Sequence, residues 1–261
     1  MFFKKKKTNE EVEQKTIPQM VELTLLDPRA VEKDIQTLIN VAIKNDNYGV
    51  CVNPCNVWIA RDYIDNIVKS QTKVVSVVGF PLGSNTIAVK VMEAKQAIVD
   101  GADELDVVIN MGRLKDGDYA YIKNELSRIV RISKGRIVKA IIETCYLTRE
   151  EIKSVCKVCE KAKVDYIKTS TGYGTGGARV EDVSLIYETV RNKCAIKASG
   201  GIRTRAQAEE LIRAGASRIG TSKVLWWKKN IFQKMKSRQM KLQKILWKRF
   251  LQVILFCLKG I

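Results

Sequence analysis

The stretch that decides the fold is Asp165-Tyr166-Ile167-Lys168-Thr169-Ser170-Thr171-Gly172, where a short apolar strand runs into a lysine. Small hydroxylated residues and then glycine follow the lysine. A long charged side chain is rarely buried without a partner. A lysine at the end of a buried strand therefore indicates a functional role, and we predict that Lys168 is a covalent catalyst.

The same pattern of a strand followed by a helix repeats on both sides of this stretch. Predicted strands cover 20–25, 49–52, 74–79, 104–109, 137–142, 166–168, 195–198 and 218–220. Predicted helices cover 31–45, 57–70, 87–100, 119–133, 149–163, 180–191 and 205–214. This alternation predicts parallel strands with helical crossovers. Eight strands in about 200 residues favour an α/β fold of the (β/α)8 or TIM-barrel type over a doubly wound open sheet.

Composition excludes several kinds of chemistry. The chain has no histidine, which removes Ser-His-Asp and Cys-His catalysis and histidine-bound zinc. Its seven cysteines are scattered and read as reduced thiols. The glycines at 172, 174 and 177 match G-x-G-x-x-G, but they follow the sixth strand and do not open a first βαβ unit. We therefore predict no dinucleotide site and no metal.

The chain divides into a polar N-terminal extension at 1–19, a barrel at 20–222 and a basic tail at 223–261. The tail carries nine Lys and two Arg without an acid, so much of the net charge of +18 belongs to it. We therefore expect no nucleic-acid binding by the barrel. No apolar run is long enough to span a membrane, and residues 1–7 lack the apolar core of a signal peptide. A cytoplasmic protein is the expectation.

Three charged residues stand at the predicted strand ends: Asp106, Lys168 and Lys197. Barrel enzymes build their sites at the C-terminal ends of the strands. The ammonium of Lys197 is expected to lower the pKa of Lys168, whose neutral amine could then attack an aldehyde and form an iminium. Asp106 is placed to move protons, through water. The alternative interpretation is a structural ion pair between Asp106 and Lys197.

The glycine-bearing strand ends predict the second half of the site. Backbone N–H groups in such loops often bind phosphate, because glycine lets the ligand approach closely. The alternative is that these loops are simple tight turns. The loops are Gly200-Gly201 after the seventh strand and Gly220-Thr221-Ser222 after the eighth, which Gly172 after the sixth can join.

Five motifs resemble the deoxyribose-phosphate aldolases. They are Val-Gly-Phe-Pro-Leu-Gly (78–83), Gly-Ala-Asp-Glu-Leu-Asp-Val-Val-Ile-Asn (101–110), Ile-Ile-Glu-Thr-Cys (141–145), Lys-Thr-Ser-Thr-Gly (168–172) and Lys-Ala-Ser-Gly-Gly-Ile-Arg (197–203). The resemblance covers about 20–222. It implies a TIM barrel and a class I aldolase without metal or cofactor. The implied reaction interconverts 2-deoxy-D-ribose 5-phosphate with acetaldehyde and D-glyceraldehyde 3-phosphate.

The resemblance also implies roles for individual residues. Lys168 matches the Schiff-base lysine, Lys197 the second active-site lysine and Asp106 the proton-relay aspartate. The phosphate-binding positions are matched by Gly172, Gly200, Gly201 and Ser222, and we assign Thr171 to substrate and phosphate binding with them. Small phosphorylated sugars and aldehydes are the implied partners, and a homodimer is a further expectation. One departure lies in the first strand, where the family usually has Asp and this chain has Glu22.

The second departure is the tail. The family pattern stops after Ser222, and a final helix is expected to be replaced or lost. Tryptophan has the single codon TGG, and restoring one base near Lys223 would regroup the codons of residues 226–228 into an apolar residue, Val and Glu. We hypothesise that 223–261 is an out-of-frame translation, which resequencing can test. The alternatives are a catalytically impaired remnant and a protein that binds membranes or nucleic acid through a genuine basic tail.

Overall fold

The strands of the computed structural model, which describes residues 16–223, close into a barrel. They are β1 (Val21–Leu25), β2 (Gly49–Val52), β3 (Lys73–Val78), β4 (Glu104–Val108), β5 (Ile137–Ile141), β6 (Tyr166–Lys168), β7 (Ala195–Ser199) and β8 (Arg218–Thr221). Each strand is parallel to its neighbours, and β8 pairs with β1. The predicted TIM barrel is confirmed, and the open sheet is excluded because no strand of the barrel is left as an edge.

The helices cover the outside of the barrel. They are α1 (Glu32–Lys44), α2 (Val57–Asp62), α3 (Ile87–Val99), α4 (Met111–Lys115), α5 (Tyr119–Ser133), α6 (Arg149–Ala162), α7 (Val180–Val190) and α8 (Arg205–Arg213). The single helix predicted at 57–70 instead passes from α2 into π-helical turns at Tyr63–Val68. Helix α4 was not predicted, because a single turn is too short to show helical periodicity.

Several helices begin at a residue that caps the first turn. Thr148 starts α6, where its hydroxyl accepts from Glu151 N at 3.2 Å and the Glu151 carboxylate accepts from Thr148 N at 2.7 Å. Such a capping box satisfies two backbone donors that the helix itself cannot use. Helix α8 begins with a capping box at Thr204, while α3 and α5 begin with a side-chain cap alone, at Thr86 and Asp118.

The described residues do not include the predicted N-terminal extension before residue 16 or the tail beyond Lys223. The predictions for those segments, including the replaced final helix and the out-of-frame hypothesis, lie outside the described residues. Within 16–223, no helix has the length and apolar character needed to cross a membrane.

The strands separate two layers of core. In β4, Leu105 and Val107 join the large apolar core between the strands and the helices, while Glu104 and Asp106 are buried on the other face. Inside the barrel, a small apolar cluster with Cys51 and Val75 occupies the side of β2 and β3. Buried ionic side chains fill much of the rest, and they need partners because burying a lone charge is costly.

Candidate active site

A cavity of about 760 Å³ opens at the C-terminal ends of the strands, where barrel enzymes carry their sites. The loops after β1, β6, β7 and β8 form its wall. The five residues predicted to bind substrate and phosphate all lie on this wall: Thr171, Gly172, Gly200, Gly201 and Ser222. Lys168 lines the same cavity, and Arg203 and Lys223 lie at its exposed rim.

The three predicted catalytic residues meet beneath this cavity. Lys168 on β6 and Lys197 on β7 are register partners in the sheet. Their Nζ atoms lie 2.8 Å and 2.6 Å from the same oxygen, Oδ2 of Asp106. Asp106 and Lys197 are fully buried, whereas Lys168 is 2% exposed and borders the cavity. Lys168 is therefore the member of this group that a substrate in the cavity can reach.

A third lysine, Lys139 on β5, completes the group around Asp106. It is the register partner of Asp106, and its Nζ lies 3.0 Å from Asp106 Oδ1 and 2.5 Å from Glu104 Oε2. Neither Lys139 nor Glu104 was among the predicted site residues. For Lys139 the sequence did offer a signal, a lysine in the middle of the apolar run Ile-Val-Lys-Ala-Ile, which forms a strand that is buried from its second residue onward.

Glu22 and Arg218 close the cluster on the side of β1 and β8. The Glu22 carboxylate accepts from Lys197 Nζ through Oε2, and from Arg218 at 2.9 Å through Oε1. The Arg218 guanidinium stacks 3.4 Å above the centroid of the Tyr48 ring. Tyr48 in turn donates its phenol hydrogen bond to Glu104. These contacts tie the acids that surround the lysines to the N-terminal end of the barrel.

The electrostatics of the cluster favour the ionised forms of Asp106 and Glu22. Burial by itself raises the pKa of Asp106, but the three neighbouring ammonium groups outweigh burial and hold this pKa well below its ordinary value. For Lys197, burial lowers the pKa, but the carboxylates of Asp106 and Glu22 reverse this and raise it. Lys197 is therefore held as a fixed cation that shares Asp106 with Lys168. The ion pair between Asp106 and Lys197, which was the alternative interpretation, exists as part of this larger cluster.

Two loops pack closely on the side of the cavity that is predicted to bind phosphate. An added Cβ on Gly177, in the loop after β6, would lie 2.3 Å from the carbonyl oxygen of Gly200 after β7. Ala178 N donates to that same oxygen at 3.0 Å. Gly200 itself has φ of +87°, which favours glycine. Gly177 thus has no room for a side chain, because its backbone packs directly against the backbone of Gly200.

A closed parallel barrel with one accessible lysine above a buried acid and a second lysine defines a class, the lysine-bearing barrel aldolases. Residues 13–233 match the model of the DeoC/LacD family aldolase. The chain belongs to this family of aldolases. The match extends beyond both ends of the region 20–222 in which the sequence motifs suggested the resemblance.

Named relatives and solved structures agree with this assignment. The chain is 51% identical over 208 residues to the deoxyribose-phosphate aldolase of Thermococcus kodakarensis, covering 79% of this chain and 92% of the relative. It is 51% identical to that of Clostridium botulinum, covering 77% and 94%. A structure described as QR15, an aldolase, superposes with a TM-score of 0.79 at 38% identity, covering 84% and 97%. A structure described as tetrameric deoxyribose phosphate aldolase from Aeropyrum pernix gives 0.73 at 31% identity, covering 80% and 88%.

Proposed function

We propose that the chain catalyses reversible aldol cleavage of 2-deoxy-D-ribose 5-phosphate to acetaldehyde and D-glyceraldehyde 3-phosphate, through a Schiff base on Lys168. The observation that carries the proposal is the position of Lys168 on the cavity wall, directly above buried Asp106 and Lys197. The relatives named deoxyribose-phosphate aldolase support the choice of substrate.

The first stage forms the covalent intermediate. The neutral amine of Lys168 attacks the aldehyde carbon, C1, of the open-chain sugar and gives a carbinolamine. Loss of the C1 hydroxyl as water then leaves an iminium. Asp106, whose Oδ2 lies 2.8 Å from Lys168 Nζ, is the group placed to accept and return the protons of this stage.

The second stage breaks the carbon–carbon bond. The electron pair of the C2–C3 bond moves into the iminium and leaves an enamine on Lys168, while the C3 hydroxyl gives its proton through water to Asp106 and becomes the aldehyde of glyceraldehyde 3-phosphate. Protonation of the enamine at C2 and hydrolysis of the resulting iminium release acetaldehyde and the free lysine. Lys139 and Lys197 favour the ionised form of Asp106 between the transfers, so that Asp106 can take up the proton of the C3 hydroxyl and return it to C2 of the enamine.

The phosphate group is assigned to the glycine-bearing side of the cavity. Gly172, Gly200, Gly201 and Ser222 lie on its wall, and backbone N–H groups in such turns are effective anion ligands. Arg203 and Lys223 at the rim add positive charge on the same side. Thr171 was also predicted to bind substrate and phosphate. That role stays a prediction, because the N–H and the hydroxyl of Thr171 already donate hydrogen bonds to another side chain.

Borohydride trapping with acetaldehyde tests the reaction class and the key residue together. Reduction of the imine should leave a two-carbon adduct on Lys168, located by peptide mass mapping. Lys168→Ala should abolish the adduct. Lys153→Ala, at an exposed position of α6, should keep it. An unmodified Lys168, or an adduct that survives Lys168→Ala, would sink the proposal.

A further inference from the structure

Glu143 is a buried acid for which the proposed mechanism has no use. It follows β5, its side chain is nearly covered, and its φ is +47°. A residue other than glycine is uncommon in this left-handed region and persists only where its surroundings hold it. The contacts of Glu143 should therefore reveal what it does.

Those contacts run to one residue of the loop after β6. Both carboxylate oxygens of Glu143 lie 3.2 Å from Thr171 N, and Oε2 also accepts from the Thr171 hydroxyl. Cys145 Sγ lies 3.8 Å from Oε1. Within residues 16–223, Glu143 forms no ion pair. Thr171 thus supplies both of the strong donors that satisfy this carboxylate.

This arrangement decides what Thr171 can offer to a ligand. A carboxylate can only accept hydrogen bonds, so the Thr171 hydroxyl proton points at Glu143. The backbone N–H of Thr171 points the same way, and the hydroxyl oxygen accepts from Tyr173 N at 3.0 Å. A phosphate oxygen also needs a donor. Thr171 has none left to give while Glu143 holds both.

Further contacts extend from Thr171, through Tyr173, along one side of the cavity. The Tyr173 hydroxyl donates to the Leu26 carbonyl in the loop after β1, at 2.9 Å. Its ring meets the edge of Phe80, after β3, with centroids 5.3 Å apart. Glu143 therefore anchors a series of contacts that joins the loops of four strands.

We propose that Glu143 is a positioning residue that fixes the Thr171–Tyr173 side of the cavity and takes both donors of Thr171. Phosphate is then bound by the backbone of the glycine loops and by Ser222, and the Thr171 hydroxyl makes no hydrogen bond to it. The inference rests on the proposed function for its substrate, and it changes the predicted role of Thr171 from ligand to support.

Thr171→Val and Thr171→Ser test the role of the hydroxyl. The cleavage rates of 2-deoxyribose 5-phosphate and of unphosphorylated 2-deoxyribose are compared. Thr171→Val should lower kcat/KM for both sugars by the same factor, because it loosens the wall without removing a phosphate contact. Thr171→Ser, which keeps the hydroxyl, should restore most of the loss. A loss confined to the phosphorylated sugar would overturn the proposal.

Glu143→Gln gives a second test, in which the substitution is expected to strengthen phosphate recognition. The glutamine oxygen can still accept from Thr171 N, while its amide donates to the Thr171 hydroxyl oxygen and frees the hydroxyl proton for the cavity. The negative charge is also removed. The preference for phosphorylated over unphosphorylated sugar should rise several-fold. Glu150→Gln, the same charge change at an exposed position of α6, should leave the preference as it is. An unchanged or reduced preference in Glu143→Gln would contradict the proposal.

Two measurements keep this inference separate from the proposed function. The acetaldehyde adduct on Lys168 in the unaltered chain reports on the reaction alone. The affinity for inorganic phosphate, measured by calorimetry, should be several-fold higher in Glu143→Gln whether or not the adduct forms. A phosphate affinity equal to that of the unaltered chain would overturn the role of Glu143 and leave the reaction assignment standing.

Discussion

At the scale of single residues, positively charged side chains outnumber carboxylates in the interior of the barrel. Among the described residues, the connected cluster contains four cations and three carboxylates: Lys139, Lys168, Lys197, Arg218, Glu22, Glu104 and Asp106. Attack on a carbonyl needs a neutral amine on Lys168. Lys139, Lys197 and Arg218 match the three carboxylates in number, and Lys168 shares its carboxylate, that of Asp106, with Lys139 and Lys197.

Asp106→Asn should remove most of the activity. Asparagine cannot take up or return a proton, and the three lysines around it lose the carboxylate that they share. We expect kcat for sugar cleavage to fall by about 10²- to 10⁴-fold, the usual contribution of general acid–base catalysis. Steady-state assays should show this, with Asp116→Asn, at an exposed position after α4, as the control. Turnover close to that of the unaltered chain would remove Asp106 from the mechanism.

At the scale of elements, the loops at the strand ends need different properties from the strands themselves. Strands β4 and β8 are buried along their full length, so apolar packing outside the barrel and ion pairs inside it specify them. The loops after β6 and β7 touch through backbone atoms at Gly177 and Gly200. These two positions therefore require the absence of a side chain, which leaves the backbones of the two loops in direct contact beside the proposed phosphate site.

Gly177→Ala should impair phosphate recognition more than folding. The new methyl group would start 2.3 Å from Gly200 O, so the loop after β6 must move away. Displacement of about 1 Å in a positioning element can cost up to about 10²-fold in rate. We expect kcat/KM to fall about tenfold or more for 2-deoxyribose 5-phosphate and less for 2-deoxyribose.

The control for this substitution is Gly112→Ala in α4. A Cβ at Gly112 would meet its nearest neighbour, Asn110 Oδ1, at an ordinary 3.5 Å. This variant should keep the kinetics of the unaltered chain. Equal effects of Gly177→Ala on the two sugars would show that the loop contact serves the barrel as a whole and has no special role for phosphate.

At the scale of the whole molecule, the buried acids couple stability to pH. The pKa of Asp106 and that of Glu22 are both lowered, because the surrounding cations together outweigh burial. A lowered folded-state pKa contributes stability that is present above the unfolded-state value. The free energy of unfolding should therefore be steady above about pH 5 and should fall as the pH drops below about 4.

Glu22→Gln should reduce the free energy of unfolding at pH 7 and also the amount by which this free energy falls at low pH. At pH 7 it leaves Lys197 and Arg218 without their shared carboxylate, and the loss should be about 3 kcal/mol. The difference should shrink as the pH falls, because Glu22 of the unaltered chain then also becomes neutral. Denaturant unfolding at a series of pH values measures this, with exposed Glu188→Gln as the control. Parallel pH curves for the two chains would rule out a lowered pKa at Glu22.

The positions of the strands were readable from sequence because parallel barrel strands are buried on both faces and form apolar runs. The site residues were also readable, since Asp106, Lys168 and Lys197 each interrupt such a run. The prediction that all three stand at strand ends was wrong for two of them: Lys168 ends β6, whereas Asp106 and Lys197 lie at the centres of β4 and β7. Sequence pattern was weaker where periodicity fails, as at the π-helical turns of Tyr63–Val68 and the single turn of α4.

Only the closed barrel shows which buried charged side chains pair with one another. Arg218 reaches Glu22 across 196 positions of sequence because β8 pairs with β1, and Lys139 meets Asp106 because β4 and β5 share a register. A sequence records which residues are buried. Which buried charges face one another depends on the tilt and stagger with which the strands close, and these follow from the packing of all eight strands together.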